Sequence, residues 1–529
     1  MNNMKKNVIV KTVRISSDDM EKAKMRVEME SLRRGSDLRY FIRTFGCQQN
    51  ENDSEKIAGI LEEIGFVPVD DYENADLVII NTCSIRENAD QRLFGHLGQL
   101  KAMSEQRPSL MTIVCGCLPT QEQHAERIKS RFSFVNSIFG PSDIWKLPRI
   151  IEAILSGAKT LDAISEEDSI SEEVPILRER KDRALVSIMY GCNNFCTYCV
   201  VPYTRGRERS RKAEDILNEC REIAAEGIPE IMLLGQNVNA WGFDLFSKGR
   251  KTNVNLDYSD EDIEKLKMIR AGDSNEIESF AQLLTAISAI PGISSVRYMS
   301  SHPRDFTGEL IAALYLSPEI ENHLHLPMQS GSDQVLKKMN RHYDMDRFKE
   351  IVNEVRKVRP KISLSTDIIV GFPYETESDF DETLMAIREI GFDSAFTFIY
   401  SPRSGTVAAN WEQIPSEIQH ERFDRLAALM NEMSLESNQK LVGQTRTVLV
   451  EGVSHGDKRV LTARDSEFHL INVNLPDEVF AVLSEDGKED FQESIAGKFI
   501  KVIISEAKTF SVEAEYLGSS NGEEFNKRG

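Results

Sequence analysis

No stretch of this chain holds 18 consecutive apolar residues, so none of it is long enough to cross a bilayer as a helix. The lysines near the N-terminus are followed by no apolar segment, which argues against a secretory signal. Cysteine is scarce: eight in 529 residues, gathered in short motifs. That points to metal ligation in a reducing compartment and away from a disulfide framework, so a cytoplasmic protein is expected. Positive charge is also lacking. At a net charge of −21 the chain repels polyphosphate at long range, and any nucleic-acid contact must rest on local basic surfaces. The length exceeds one compact domain and the 40% hydrophobic content suffices for several cores, so two to four domains are expected.

The stretch Tyr190-Gly191-Cys192-Asn193-Asn194-Phe195-Cys196-Thr197-Tyr198-Cys199 stands out from this background. Three cysteines at C-x3-C-x2-C are too few for a closed tetrahedral zinc site, which takes four protein ligands. Three thiolates do suit a 4Fe-4S cubane whose fourth iron has no protein ligand. The plain alternative is three cysteines packed as small hydrophobes. Gly191, two asparagines and two aromatics make a ligand loop instead of the apolar run that alternative needs.

Upstream, Arg39–Phe45, Ala75–Cys83 and Leu110–Cys117 read as strands alternating with helices at Asp53–Ile64 and Ala89–Met103, the pattern of a parallel sheet with covering helices. Cys47, Cys83 and Cys117 each fall just past a strand's C-terminal end, the edge of an open α/β sheet where ligands gather. Three cysteines far apart in sequence could therefore converge on one point, with independent structural cysteines as the alternative. Cys115 lies within the strand and packs inside, and Cys220 falls on a core helix. Directly after the C-x3-C-x2-C loop, Arg205 to Lys212 carries five basic residues against Glu208 alone. Such a run is either a solvated turn or a phosphate-binding surface, and its position favours RNA contact by Arg205, Arg207, Arg209 and Arg211.

From Arg183 to Ile399, successive β/α units imply a partial (β/α) barrel with its site at the C-terminal strand ends. Short strands with glycine turns from Gly443 onward indicate a small β-barrel. The fold class is thus α/β: an N-terminal parallel α/β domain, a central partial barrel and a small C-terminal β-barrel.

C-x3-C-x2-C with an aromatic before the last cysteine resembles the radical S-adenosylmethionine superfamily. The run Pro202-Tyr203-Thr204-Arg205-Gly206-Arg207-Glu208-Arg209-Ser210-Arg211 narrows the likeness to the methylthiotransferases, and among them to the group acting on isopentenyl-adenosine in tRNA. Thr44-Phe45-Gly46-Cys47-Gln48-Gln49-Asn50, Asn81-Thr82-Cys83-Ser84-Ile85-Arg86 and Gly116-Cys117 resemble that family's N-terminal domain. The resemblance spans about residues 38–517. It implies that Cys192, Cys196 and Cys199 hold the cluster that cleaves S-adenosylmethionine, and that Cys47, Cys83 and Cys117 hold an auxiliary 4Fe-4S cluster. It further implies tRNA as substrate, a conversion of N6-dimethylallyladenosine at position 37 to its 2-methylthio derivative, and an electron donor such as flavodoxin or ferredoxin.

The strand-end motifs Leu234-Gly235-Gln236-Asn237, His323 to Ser332 and Ser365 to Pro373 match the same family. Tyr198, Gln236, Gln329 and Asp367 are accordingly the expected contacts to S-adenosylmethionine or substrate, whereas His323 and His325 read as structural. The last segment resembles a TRAM domain, a small RNA-binding barrel, although nine Lys or Arg against fourteen Asp or Glu over 440–517 suit phosphate poorly. Two departures stand out: Tyr374 occupies a place usually held by glycine, and residues 243–278 form a polar insertion. The expected division is a charged, partly disordered extension at 1–37, the N-terminal domain at 38–156 and a linker at 157–177. The radical core at 178–438, the TRAM-like domain at 440–517 and a tail at 518–529 follow. Rival readings are a methylthiotransferase for threonylcarbamoyladenosine or a ribosomal-protein aspartate, and a non-catalytic RNA-binding iron–sulfur protein.

Overall fold

The computed structural model describes residues 11–84, 89–158, 161–165, 169–246, 254–454, 456–484 and 495–519. The chain divides into two compact units, the first made of Met1–Glu179, Met189–Phe195 and Cys199–Arg211, the second of Arg180–Ile188, Cys196–Tyr198 and Lys212–Gly529. Among the described residues no helix is long and apolar enough to cross a membrane.

The first unit is built on a six-stranded sheet with strands in the order Val67–Pro68, Arg39–Phe45, Leu77–Thr82, Met111–Gly116, Ser137–Phe139 and Leu161–Asp162, every neighbouring pair parallel. Leu77–Thr82 and Met111–Gly116 are buried along their whole length, as near-continuous apolar runs in a parallel sheet must be. Side chains alternate between two cores. Leu77, Ile79, Met111, Ile113 and Cys115 meet helix Gln48–Glu63 through Ile57, Ile60 and Leu61. On the other face Val78, Ile80 and Val114 meet Leu93, Leu97 and Leu100 of helix Ala89–Gln106.

The charged N-terminal stretch is more ordered than its composition implies. Its helix, Ser17–Arg34, buries Ala23 and Val27 in the first core, and Asp19 accepts a bond of 2.7 Å from Arg149 of helix Leu147–Leu155. One narrow apolar stripe thus docks a helix whose other faces are charged. Residues 1–10 lie outside the described residues. Within 157–177, expected as a linker, Leu161–Asp162 extends the main sheet and Ser169–Ser171 pairs in parallel with Lys11–Val13.

The second unit carries the barrel. Strands Arg183–Ser187, Glu230–Leu234 and Ser295–Tyr298 form one parallel sheet, and His323–His325, Ser363–Val370 and Ser394–Ile399 another. A parallel bridge from Val296 to Ile320 leads from one to the other, giving a six-stranded open barrel covered by helices. In the 243–278 insertion, helix Asp260–Ala271 is capped by Ser259 and by left-handed Gly272. It buries Leu266 and Ile269, and Arg270 pairs with Glu319 at 2.6 Å. Residues 247–253 lie outside the described residues.

A closed five-stranded barrel ends the unit, ordered Thr445–Val453, Val460–Arg464, Leu470–Asn474, Val512–Ser519 and Phe499–Ala507. Its core is Val448, Val450, Leu461, Ile471, Val473, Ile500 and Val502. The 465–469 tip sends Phe468 against Leu185, Met232 and Leu234, with the guanidinium groups of Arg297 and Arg464 over its ring at 4.7 and 4.3 Å. Glu451 accepts bonds from Arg183 at 3.0 Å and Arg464 at 2.8 Å. Part of this barrel's acidity is therefore matched inside the unit.

Candidate functional site

Three of the eight cysteines come together at one edge of the first unit's sheet. The strands are in register, Phe45 opposite Thr82 and Thr82 opposite Gly116, so each chain leaves the sheet at the same level. Cys83 N–H then donates to Phe45 O at 2.7 Å, and Cys117 N–H to Thr82 O at 2.8 Å. Gly116 turns its cysteine outward with φ +98°, and a Cβ there would meet Thr82 O at 2.4 Å, so only glycine fits. Cys47 opens helix Gln48–Glu63 as its N-cap. Buried Asn50 and Asn81 fix that corner: Asn50 Nδ2 donates to Asn81 Oδ1 at 3.0 Å, and Asn81 Nδ2 to Asn50 O at 2.8 Å.

The sulfur atoms sense one another. A hydrogen bond with the Cys83 side chain, followed by burial, pushes the Cys47 thiol well up. Burial raises the Cys117 thiol to about 11, with Arg205 opposing and Cys47 adding to the rise. Cys115 points into the core, where burial raises its thiol too.

Among the described residues, the one trio of His, Cys, Asp or Glu ligand atoms within 4.8 Å of one another is Asp465, Glu467 and His469. Arg446 is already paired to both of those carboxylates. Three thiols at one sheet edge match the number of ligands a 4Fe-4S cubane takes when one of its irons is left open.

Arg205 lies beside them. Its Nε–H donates to Cys117 Sγ at 3.0 Å and its Nη2–H to Asp53 Oδ2 at 2.9 Å, while Nη1 is buried with no partner. Three of the four arginines expected to contact RNA make their bonds inside this unit. Arg205, Arg209 and Arg211 are all buried. Arg209 donates to the Arg205 and Arg207 carbonyls at 3.0 and 2.9 Å, and Arg211 makes a two-pronged pair with Glu172 at 2.7 and 2.6 Å. Arg207 is half-buried, with its guanidinium 4.4 Å above the Phe195 ring. Guanidinium groups brace this loop because each can bind several oxygens at once. Asp53 and Glu172, their distant acidic partners, carry no signal in the sequence that marks them for pairing.

The C-x3-C-x2-C loop begins in the first unit. Gly191 has φ +72°, and a Cβ there would strike Arg207 O at 2.1 Å. Cys192 N–H donates to Gly206 O at 3.2 Å, and Asn193 binds both oxygens of Glu208. Cys199 is half-buried in the same unit. Cys196 belongs to the second unit, where the buried Arg341 lies 3.7 Å from its sulfur and donates to Pro327 O at 3.0 Å. Thr197 N–H donates to Met339 O, and Tyr198 packs edge-on against Phe372 at 6.3 Å.

Of the remaining expected contacts, Gln236 and Gln329 lie beyond the ends of strands Glu230–Leu234 and His323–His325, and Asp367 lies within Ser363–Val370. Gln329 has φ +69°; its N–H donates to Asp367 O at 2.7 Å, and its carbonyl accepts from Ile369 N–H at 2.9 Å. This backbone bridge places Gln329 beside Asp367. The Asp367 carboxylate lies 3.6 Å from His325 Nε2. Gln236, just beyond Glu230–Leu234, has a buried Oε1 without a partner, as a polar ligand pocket would leave it. His323 and His325 both bond Ser365 Oγ, at 2.8 and 2.9 Å, and burial pushes the His323 imidazole well down.

Two family profiles match the chain: "Uncharacterized protein family UPF0004" over residues 39–140 and "Radical SAM superfamily" over residues 186–387. A tRNA-2-methylthio-N(6)-dimethylallyladenosine synthase from Clostridium botulinum (strain Okra / Type B1) is 42% identical over 90% of this chain and 97% of its own length. One of the same name from Thermoanaerobacter sp. (strain X514) is 40% identical over 95% and 98%. The solved structure of the radical S-adenosylmethionine methyltransferase TsrM from Kitasatospora setae aligns at TM-score 0.45 and 12% identity, over 70% of this chain and 77% of that one.

Proposed function

This chain belongs to the methylthiotransferase family of radical S-adenosylmethionine enzymes, and on that premise we propose that it converts N6-dimethylallyladenosine at position 37 of tRNA to its 2-methylthio derivative. Its cofactors are 4Fe-4S clusters and S-adenosylmethionine. When bound, they supply what side chains cannot: a radical able to open an unacidic aromatic C–H, and the sulfur and methyl that replace its hydrogen.

The chain's own residues bind and orient. Cys192, Cys196 and Cys199 are the proposed ligands of the radical cluster, with Arg341 donating toward the Cys196 sulfur. Cys47, Cys83 and Cys117 are the proposed ligands of the auxiliary cluster. The observation that carries this reading is their convergence at three in-register strand ends with Arg205 on the third sulfur. Tyr198, Gln236, Gln329 and Asp367 are proposed to line the S-adenosylmethionine or substrate pocket, supported by the pairing of Gln329 with Asp367 and by the unpartnered Gln236 oxygen. Of the basic run, Arg207 is the proposed phosphate contact. Flavodoxin or ferredoxin is the proposed electron donor, and the cytoplasm the proposed location.

Mass spectrometry of tRNA nucleosides from a strain lacking this protein tests the substrate. The 2-methylthio derivative of N6-dimethylallyladenosine should vanish, its unthiolated precursor should accumulate, and threonylcarbamoyladenosine derivatives should be unchanged. Loss of a methylthiolated threonylcarbamoyladenosine instead would assign the chain to the rival substrate.

A further inference from the structure

Arg205 follows the C-x3-C-x2-C loop closely in sequence, yet its guanidinium lies on Cys117 at the sheet edge. Asp53 balances its charge at 2.9 Å, and Arg209 pins its carbonyl at 3.0 Å, so the group is held from both ends. One donor, Nη1, is buried with no partner in a residue that is 4% exposed. A buried donor left unmade costs about 1–3 kcal/mol, and more on a charged group. Such a donor persists where a ligand satisfies it.

We propose that Arg205 is a positioning residue of the Cys47, Cys83 and Cys117 centre: Nε–H fixes the Cys117 sulfur, and Nη1–H is the donor to an anionic sulfur of the bound cluster. The proposal rests on the ligand assignment made above. Hydrogen bonds and positive charge beside the sulfurs of an iron–sulfur centre favour its more negative, reduced state, and so raise its reduction potential. Asp53 works against this by partly neutralising the guanidinium. The two side chains therefore set the potential with opposite signs.

The full chain carrying Cys192→Ala, Cys196→Ala and Cys199→Ala isolates this centre, because the remaining iron signal then has one source. Reconstituted anaerobically, it should hold about four irons. Redox titration followed by electron paramagnetic resonance is then repeated with Arg205→Gln and, separately, with Asp53→Asn. The potential should fall in the first and rise in the second. A role confined to bracing the 205–211 segment would not produce shifts of opposite sign. Should Arg205→Gln fail to retain iron, Asp53→Asn decides alone, since it leaves the arginine in place. Four irons with unmoved potentials, or shifts in the same direction, would overturn the proposal while sparing the ligand assignment. Absence of iron before either further substitution would overturn both.

Discussion

Cys115 and Cys117 are two residues apart, and their difference lies in the backbone between them. Cys115 is the last core residue of its strand, packed with Leu77, Ile79 and Ile113. Left-handed Gly116 then releases the chain, and Cys117 meets Arg205. Cys115→Ala should cost about 1–2 kcal/mol of stability for the lost packing, with iron content unchanged. Cys117→Ala should lower iron content; equal iron loss in the two variants would show that the strand-end distinction is wrong. At this scale the cysteines were legible, because a parallel strand's length and its terminal glycine can be read from sequence. The arginines were not. Arg205 and Arg211 find their acids at Asp53 and Glu172, across the chain, and a count of neighbouring charges cannot reveal a pairing made only on folding.

Among the elements, the 371–376 loop shows how a departure from family pattern is accommodated. Tyr374 stands at the place where the family resemblance leads one to expect glycine, and its backbone has the conformation glycine favours, φ +69°. That conformation costs a residue bearing Cβ about 1–2 kcal/mol. Lys338 Nζ lies 4.3 Å above the tyrosine ring, and such an exposed contact returns about 0.5–1 kcal/mol. Tyr374→Gly should therefore be close to neutral, the relieved strain set against a lost contact and a more flexible unfolded chain. Tyr374→Ala keeps the strain and loses the contact, and should be less stable than the glycine variant by about 1 kcal/mol. Denaturant unfolding measures both, and an alanine variant as stable as the glycine one would contradict the account. The 243–278 insertion was legible as polar, but its helix with the Ser259 and Gly272 caps was not singled out from a surface loop. The docking of Ser17–Arg34 was not, since two buried positions, Ala23 and Val27, make too narrow a stripe to stand out among so many charges.

For the molecule as a whole, a net charge of −21 and an acidic C-terminal barrel look unsuited to a tRNA enzyme. Part of that acidity faces inward: Glu230 joins Arg183 and Arg297, Glu451 joins Arg183 and Arg464, and Asp465 with Glu467 joins Arg446. The strand–helix alternation and the small barrel followed from periodicity and glycine turns, whereas these pairings depend on tertiary contacts. The central proposal is a division of labour between two sets of three cysteines. The most direct measurement is made on the Cys47→Ala, Cys83→Ala, Cys117→Ala variant, first shown to be folded by circular dichroism because metal-site binding energy is also folding energy. Assayed anaerobically with reductant and tRNA, it should still cleave S-adenosylmethionine to 5′-deoxyadenosine and form no methylthiolated nucleoside. A folded variant that still makes the 2-methylthio product would contradict the account.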